Sequence, residues 1–302
     1  MKYILGIDIG GTNFRIGVVK QGEKRTNFFK KVPVKDIFCS EKPMKDIIKC
    51  LKEYCEFLKK NEIQISAVSI GFPATLDKER QMVLQAPNIP FMENMPVVNE
   101  ISRELSIPVF IEKDVNLALC YDRKKYKVSD SEVLIGCYFG TGIGNAISIN
   151  GKIFSGKNGA AGELGHIPVD GNYSLCGCGN RGCLENIAGG KYLSYLCQTE
   201  YLTTKIGELF HIHGNDPVLR KFVDRMAMAV ATEVNILDPD HVIIGGGVPN
   251  MKGFPLEYLE EKIREHVRKP YPEQNLNIIF VEDEEDKCVV GAAIYAEEQL
   301  KY

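Results

Sequence analysis

Residues 3–19, YILGIDIGGTNFRIGVV, carry the strongest architectural signal in the chain. Two apolar runs, Tyr3 to Ile9 and Phe14 to Val19, flank Gly10-Gly11-Thr12-Asn13, and the pattern predicts a β-hairpin with a glycine turn. Glycines leave the backbone amides of such a turn unobstructed, which suits a phosphate, and Thr12 and Asn13 add side-chain donors. A plain hairpin turn would hold glycine too, so the informative addition is Asp8: a carboxylate beside a phosphate-binding turn can hold magnesium through the ion's water shell. The layout recurs. Glu132 to Phe139 reads as a strand, Gly140-Thr141-Gly142-Ile143-Gly144 as a glycine turn and Asn145 to Asn150 as another strand. Two such units in one chain predict two similar α/β domains, each offering a phosphate loop to a shared cleft.

The segments between carry ordinary packing patterns and a few polar exceptions. Asn27 to Val34 predicts a third strand of a meander, Met44 to Leu58 a helix with apolar residues at helical spacing, and Ile65 to Gly71 a strand broken by Gly71-Phe72-Pro73-Ala74. In Gln85-Ala86-Pro87-Asn88-Ile89-Pro90 two prolines frame one polar side chain, so Asn88 reads as a turn former or a ligand donor. A helix over 97–105 and a strand over 108–111 lead to Glu112-Lys113-Asp114-Val115-Asn116, which opens a helix running to about Lys125. Asp114 sits where the strand hands over to the helix. It reads as an N-cap, or as a catalytic carboxylate if other segments bring phosphate and hydroxyl to it.

Farther on, helices are expected over 191–196, 203–210 and 217–237, the last ended by Asp238-Pro239. A buried strand over 241–244 precedes Gly245-Gly246-Gly247, where missing side chains permit close approach of a flat ring. A helix over 254–268, a strand over 276–281 and a closing helix over 289–300, returning to the first domain, complete the chain. His211, His213, His241 and His266 show no ligand spacing and read as structural.

Gly162 to Glu185, GELGHIPVDGNYSLCGCGNRGCLE, has a different chemistry. Cys176, Cys178 and Cys183 are spaced by glycines and an Asn-Arg-Gly turn, a composition that makes neither helix nor buried strand and brings the thiols to one point. His166 supplies a fourth ligand, and three Cys with one His is a common closed set for structural zinc. Three reduced thiols left on a surface loop are the alternative, and they would invite oxidation. Glu163 and Glu185 flank the set; they read as hydroxyl-binding carboxylates on a metal-pinned wall, suited to a small polyol, or as solvated glutamates.

The 302 residues suffice for two domains with their own cores. A net charge of −3, with Glu282 to Asp286 as the one run of like charges, argues against nucleic acid or a membrane surface as partner. No apolar run reaches the length of a membrane span and the N-terminus enters a strand at once, so a cytoplasmic protein is expected. Its ten cysteines are then thiols or metal ligands, and Cys39, Cys50, Cys55, Cys120, Cys137, Cys197 and Cys288 read mostly as small buried apolar residues.

Taken together, Asp8 to Asn13, Lys113 to Asn116, Gly140 to Gly144, Gly162 to His166, the CxCGxxGCxE segment and Gly245 to Gly247 resemble the ROK family of sugar kinases and repressors, nearly end to end. The resemblance implies a duplicated ribonuclease-H-like fold shared with actin and hexokinases, two domains around a cleft: residues 1–115 with the closing helix 289–302, and residues 116–288 with the zinc segment. It implies ATP-dependent phosphorylation of a hexose 6-hydroxyl, with Mg2+ and structural Zn2+. By matching position, Asp114 is the catalytic base, and Asn88, Lys113, Asp114, Glu163, His166 and Glu185 contact sugar. Asp8, Gly10, Gly11, Thr12, Asn13, Thr141, Gly142 and Gly144 serve the phosphates, Gly246 and Gly247 the adenosine, and His166, Cys176, Cys178 and Cys183 the zinc. A homodimer is also implied. Where family glucokinases carry Asn-Asp-Ala-Asn this chain has Lys113-Asp114-Val115-Asn116, and Pro73-Ala74 replaces Pro-Gly. Lys only donates where Asn also accepts, and these loops are similar to those of the D-allose kinase branch. Glucose and N-acetylhexosamines are the rival substrates. The family's repressors add an N-terminal helix-turn-helix, for which Asp8 lies too early.

Overall fold

The computed structural model describes residues 2–301. β1 (Tyr3–Ile9) and β2 (Asn13–Lys20) form the expected hairpin, and β3 (Thr26–Pro33) extends it antiparallel. The single-turn α1 (Val34–Ile37) and the long α2 (Pro43–Lys60) lead to β4 (Ile65–Phe72), which pairs parallel with β1. A small hairpin of β5 (Thr75–Leu76) and β6 (Val83–Gln85) precedes α3 (Val97–Leu105), β7 (Val109–Lys113) and α4 (Asp114–Lys125). With β7 parallel to β4, the sheet order is β3-β2-β1-β4-β7.

The order then repeats. β8 (Val133–Phe139), β9 (Ile143–Ile149) and β10 (Lys152–Ile153) are antiparallel; β11 (His241–Gly245) joins β8 and β12 (Asn277–Phe280) joins β11 in parallel, giving β10-β9-β8-β11-β12. Between β10 and β12 run α5 (Glu185–Ala188), α6 (Gly190–Thr199), α7 (Leu209–His213), α8 (Pro217–Leu237) and α9 (Leu256–His266), and α10 (Lys287–Gln299) closes the chain. α8 obeys local rules at both ends: Asp216 Oδ1 accepts from Val218 N–H at 2.8 Å, Pro217 takes the first turn, and Asp238 ends the helix in the left-handed region. Its Phe222, Met226, Ala229, Val230 and Val234 are buried as the periodicity required.

Two compact units result. The first comprises the chain up to Lys127, Ser155–Ala161 and the chain from Glu284; the second comprises Val128–Phe154 and Gly162–Asp283. A boundary after residue 115 would cut α4, but α4 stays whole in the first unit because α10 packs along it. Gly291 makes this contact: a Cβ there would stand 2.0 Å from the Leu117 carbonyl oxygen.

In β1, alternate residues serve two faces. Leu5, Ile7 and Ile9 join Ile47, Leu51 and Leu58 of α2 in one core. Gly6 meets α10 on the other face, where a Cβ would stand 2.1 Å from the Val289 carbonyl oxygen, and Asp8 shares that face by the same alternation.

Two local expectations fail. The helix expected over 203–210 is a 3₁₀ turn (Ile206–Glu208) followed by the short α7, because Thr203, Thr204 and Gly207 are poor helix formers and Thr204 Oγ1 is engaged by His213 Nε2 at 2.9 Å. Of the scattered cysteines, Cys120 and Cys137 are buried. Cys39 is exposed, and Cys50, Cys55 and Cys197 lie between, because the helices that carry them face partly outward; Cys288 is also intermediate, with its Sγ 3.7 Å from the Asp114 carbonyl oxygen. Among the described residues no helix is long and apolar enough to cross a membrane.

The glycine contacts of α10 should tolerate no side chain. Gly291→Ala should lower unfolding free energy by about 1–3 kcal/mol through overpacking, read as a reduced urea midpoint with unchanged slope.

Candidate active site

Strand register sets Arg15, Asp8, Gly71 and Glu112 side by side across β2, β1, β4 and β7. They share the face over which α4 starts: a Cβ on Gly71 would lie 2.8 Å from Leu117 Cδ1 and 3.7 Å from Asp114 Cα. Glycine at 71 therefore lets the helix begin close to the sheet. Arg15 Nη1 donates to Asp8 Oδ2 at 2.8 Å. Asp8 is only 7% exposed, and burial raises its pKa although the guanidinium pulls the other way.

Asp114 is the first residue of α4; Lys113 holds the N-cap position, so the N-cap reading of Asp114 does not hold. Because β7 runs through Lys113, the carboxylate follows the strand directly, at the end of the sheet that also carries Asp8. Its Oδ1 accepts from Val115 N–H at 2.8 Å. Burial first, then the Asp8 carboxylate, raise its pKa to about 7, with the Val115 amide and the Lys113 cation partly opposing them. Such a carboxyl exchanges a proton near neutral pH, the property a general base needs.

The first glycine turn closes through Gly10 N–H to the Asn13 carbonyl at 2.9 Å. A Cβ on Gly11 would stand 3.1 Å from the Asn88 carbonyl oxygen, so Asn88 lies directly against this turn. Lys113 is 9% exposed, with Nζ 3.5 Å from the Ala161 carbonyl oxygen. Arg15 escaped the sequence reading, although residues 8 and 15 are equidistant from the turn and the hairpin register alone pairs them.

In the second unit, one ligand atom from each of His166, Cys176, Cys178 and Cys183 lies within 4.8 Å of all the others. The Cys178 and Cys183 sulfurs are 3.6 Å apart, as are Cys176 Sγ and His166 Nδ1. A disulfide needs about 2.0 Å, whereas bonds of about 2.3 Å from a tetrahedral zinc separate two sulfurs by about 3.7 Å. The residues present therefore fit zinc. Backbone bonds shape the loop: Cys176 N–H to Asn180 O at 2.8 Å, Val169 N–H to Gly182 O at 2.9 Å and Leu184 N–H to Ile167 O at 3.0 Å. Gly179 and Gly182 take positive φ within it.

His166 serves two directions. Nδ1 faces the sulfurs while Nε2 lies 3.8 Å from Glu163 Oε2. Glu185 is not a solvated glutamate: its Oε2 accepts from Ile143 N–H at 3.1 Å, and a Cβ on Gly142 would collide with it at 2.0 Å. The second glycine turn is further tied by Gly190 N–H to Gly140 O at 2.8 Å and Lys191 N–H to Thr141 O at 2.9 Å. Gly246, at φ +93°, leaves the end of β11, and Val248 N–H donates to Phe139 O at 2.8 Å, which sets Gly246 and Gly247 beside that turn. Thr141, Gly142, Gly144, Gly246 and Gly247 are thus grouped, as are Asp8, the Gly10 to Asn13 turn, Asn88, Lys113 and Asp114 in the first unit.

The sequence profile of the ROK family matches residues 4–299. The chain belongs to the ROK family. It is similar to the glucokinase of Thermotoga maritima, 26% identical over 98% of each chain, and to the N-acetyl-D-glucosamine kinase of Escherichia coli, 28% identical over 87% of this chain and 89% of that one. The crystal structure of a ROK family glucokinase from Streptomyces griseus, in complex with glucose and AMPPNP, superposes with a TM-score of 0.77 at 26% identity, covering 98% of this chain and 99% of that one. The fold of this ROK protein is accordingly the duplicated actin/hexokinase-like α/β fold expected from its sequence.

The raised pKa of Asp114 has a consequence for stability. A carboxyl with a raised folded-state pKa contributes its full stability below the ordinary carboxyl range and loses it as pH climbs to and through about 7. Asp114→Asn should therefore match the wild-type Tm near pH 4 and exceed it by a margin that grows to about pH 8.

Proposed function

We propose that this ROK protein transfers the γ-phosphoryl group of ATP to the 6-hydroxyl of a hexose, and that D-allose is the preferred hexose. Asp114 carries the reading: a carboxyl poised near neutrality, beside a second carboxylate and a phosphate-type glycine turn, at the end of three parallel strands of a mixed sheet. A sugar hydroxyl is too weak an acid to ionise beforehand. Asp114 orients it and takes its proton late, as the new oxygen–phosphorus bond forms and the bond to the ADP oxygen breaks.

Asn88, Lys113, Glu163, His166 Nε2 and Glu185 are the hydroxyl partners, and the amides of the two glycine turns, with Thr12, Asn13 and Thr141, hold the phosphates. Gly246 and Gly247 leave room for the adenosine. Asp8 is the group that would hold hydrated Mg2+, which supplies charge neutralisation on the transferring phosphoryl. Zinc, on His166 Nδ1, Cys176, Cys178 and Cys183, is structural, because four protein ligands leave no open position. A cytoplasmic homodimer belongs to the same reading.

The allose preference rests on Lys113, a pure donor within a motif whose family counterpart both donates and accepts. Glucose and N-acetylglucosamine are the competitors, being the sugars in the names of the similar kinases. An ADP-release assay over a hexose panel ranks them: allose should show the highest kcat/KM, and a higher value for glucose removes the allose assignment. Asp114→Asn should lose about 10²–10⁴ in kcat while calorimetric sugar binding persists. Wild-type kcat/KM should rise with pH and level off above about 7, where Asp114 is ionised. Elemental analysis should find about one zinc per chain, lost in Cys178→Ser.

A further inference from the structure

Arg80 lies outside the phosphate turns, the hydroxyl-binding residues and the cysteine cluster, between β5 and β6, with its backbone left-handed at φ +55°. A turn that needed only this conformation would use Gly or Asn. Asp77 already serves the turn, its Oδ1 accepting from Gln81 and Met82 N–H at 2.7 Å each. A long cationic side chain at such a position persists where its surroundings over-determine it.

The Arg80 guanidinium has partners on three sides. Nε donates to Glu112 Oε2 at 3.0 Å, in an ion pair whose carboxylate belongs to a residue only 1% exposed. Nη1 donates to the Asp77 carbonyl oxygen at 3.1 Å, and Nη2 reaches the Gly159 carbonyl oxygen at 3.3 Å and Ser155 Oγ at 3.4 Å. On the far side, Glu112 Oε1 accepts from Lys113 N–H at 2.8 Å and from Asn116 Nδ2 at 2.9 Å. Both carboxylate oxygens are thus committed, one to Arg80 and one to the turn that bears Asp114.

Residues 155–161 form a closed loop, with Ala161 N–H donating to Ser155 O at 3.1 Å, and belong to the first unit although the chain on either side belongs to the second. Gly159 is the seat. It is buried at φ +74°, and a Cβ there would stand 2.4 Å from Arg80 Nη1 and 3.4 Å from the Leu76 carbonyl oxygen. The other end of the loop meets Lys113 Nζ through the Ala161 carbonyl oxygen, and the chain continues directly into Gly162-Glu163.

We propose that Arg80 is a positioning residue for sugar: through Glu112 it holds the Lys113–Asn116 turn, and through Gly159 and Ser155 it holds the 155–161 strap against the same turn. Arg80 touches no reacting atom. It fixes Lys113 and Asp114 relative to the strap, and its hydrogen bonds to Glu112, Asp77, Ser155 and Gly159 reach no residue of the glycine turns. This assignment rests on the hexose kinase reading, and two variants separate the two ideas. Arg80→Lys keeps a cation for Glu112 but cannot span to Gly159 and Ser155. Gly159→Ala keeps the Arg80 side chain but sets a Cβ against its Nη1 and the Leu76 carbonyl oxygen, and so unseats the strap.

Each variant, checked for a cooperative thermal transition, is assayed for both substrates and digested with trypsin under native conditions, with mass spectrometry following cleavage after the exposed Lys157. Sugar KM should rise about tenfold to a hundredfold with ATP KM within about twofold of wild type, and cleavage after Lys157 should accelerate about tenfold as the strap opens. Equal rises in both KM values, or an unchanged sugar KM in a folded variant, overturn the positioning role. Unchanged cleavage overturns the anchoring. Should the wild type turn over no hexose, the kinase reading and the sugar role fall together, while the cleavage rates still decide whether Arg80 holds the strap.

Discussion

Backbone packed directly on backbone is the constraint from which the first unit's chemistry follows. Gly6 and Gly291 let α10 approach β1 and α4 to distances that any Cβ would forbid, and Gly71 lets α4 begin against the sheet. Asp8 and Asp114 are drawn out of water as a result. Burying a carboxylate is unfavourable; Arg15 offsets this only in part at Asp8, and the Val115 amide and Lys113 only in part at Asp114, so both pKa values remain raised. A fold accepts such a cost where the resulting proton affinity is useful.

The second unit repeats the topology without repeating the acid. Matching the hairpins by their turns sets Tyr138 in the place of Asp8 and Gly144 in the place of Arg15. What this repeat carries instead is a glycine turn tied down by Glu185, Gly190 and Lys191, together with a metal-type cluster. It also holds a buried carboxyl of its own, Glu233, raised to about 7 by burial although Asn145 Nδ2 donates to it at 2.8 Å and Cys137 Sγ lies at 3.4 Å. The duplicated halves have thus diverged in side-chain chemistry while keeping strand order, as expected when backbone pairing carries the architecture and loops carry the site.

The cluster of His166 and the three cysteines links the two kinds of constraint. Hydrogen bonds across the loop bring the sulfurs to spacings that fit a tetrahedral ion, and the same histidine that turns Nδ1 toward them turns Nε2 toward Glu163. One imidazole can therefore fill both roles that the sequence suggested for it.

Features that depend on near neighbours follow from the amino-acid order alone: the strands and turns of both hairpins, α8 from cap to cap, the grouping of Cys176, Cys178 and Cys183, and the carboxylate at the β7–α4 junction. Period, composition and capping are local, and they survive translation into structure because each is satisfied within a few residues. Even the Arg15–Asp8 pair was legible there in principle, since a hairpin's register is set by its turn. Other features belong to tertiary structure alone. The return of residues 155–161 to the first unit, the placing of α4 whole within it, the Arg80–Glu112 pair and the bond from Ile143 to Glu185 all join segments separated by dozens of residues. No local pattern encodes such contacts, because they are chosen by how the helices settle on the sheets and by which buried charges must find a partner once water has been excluded.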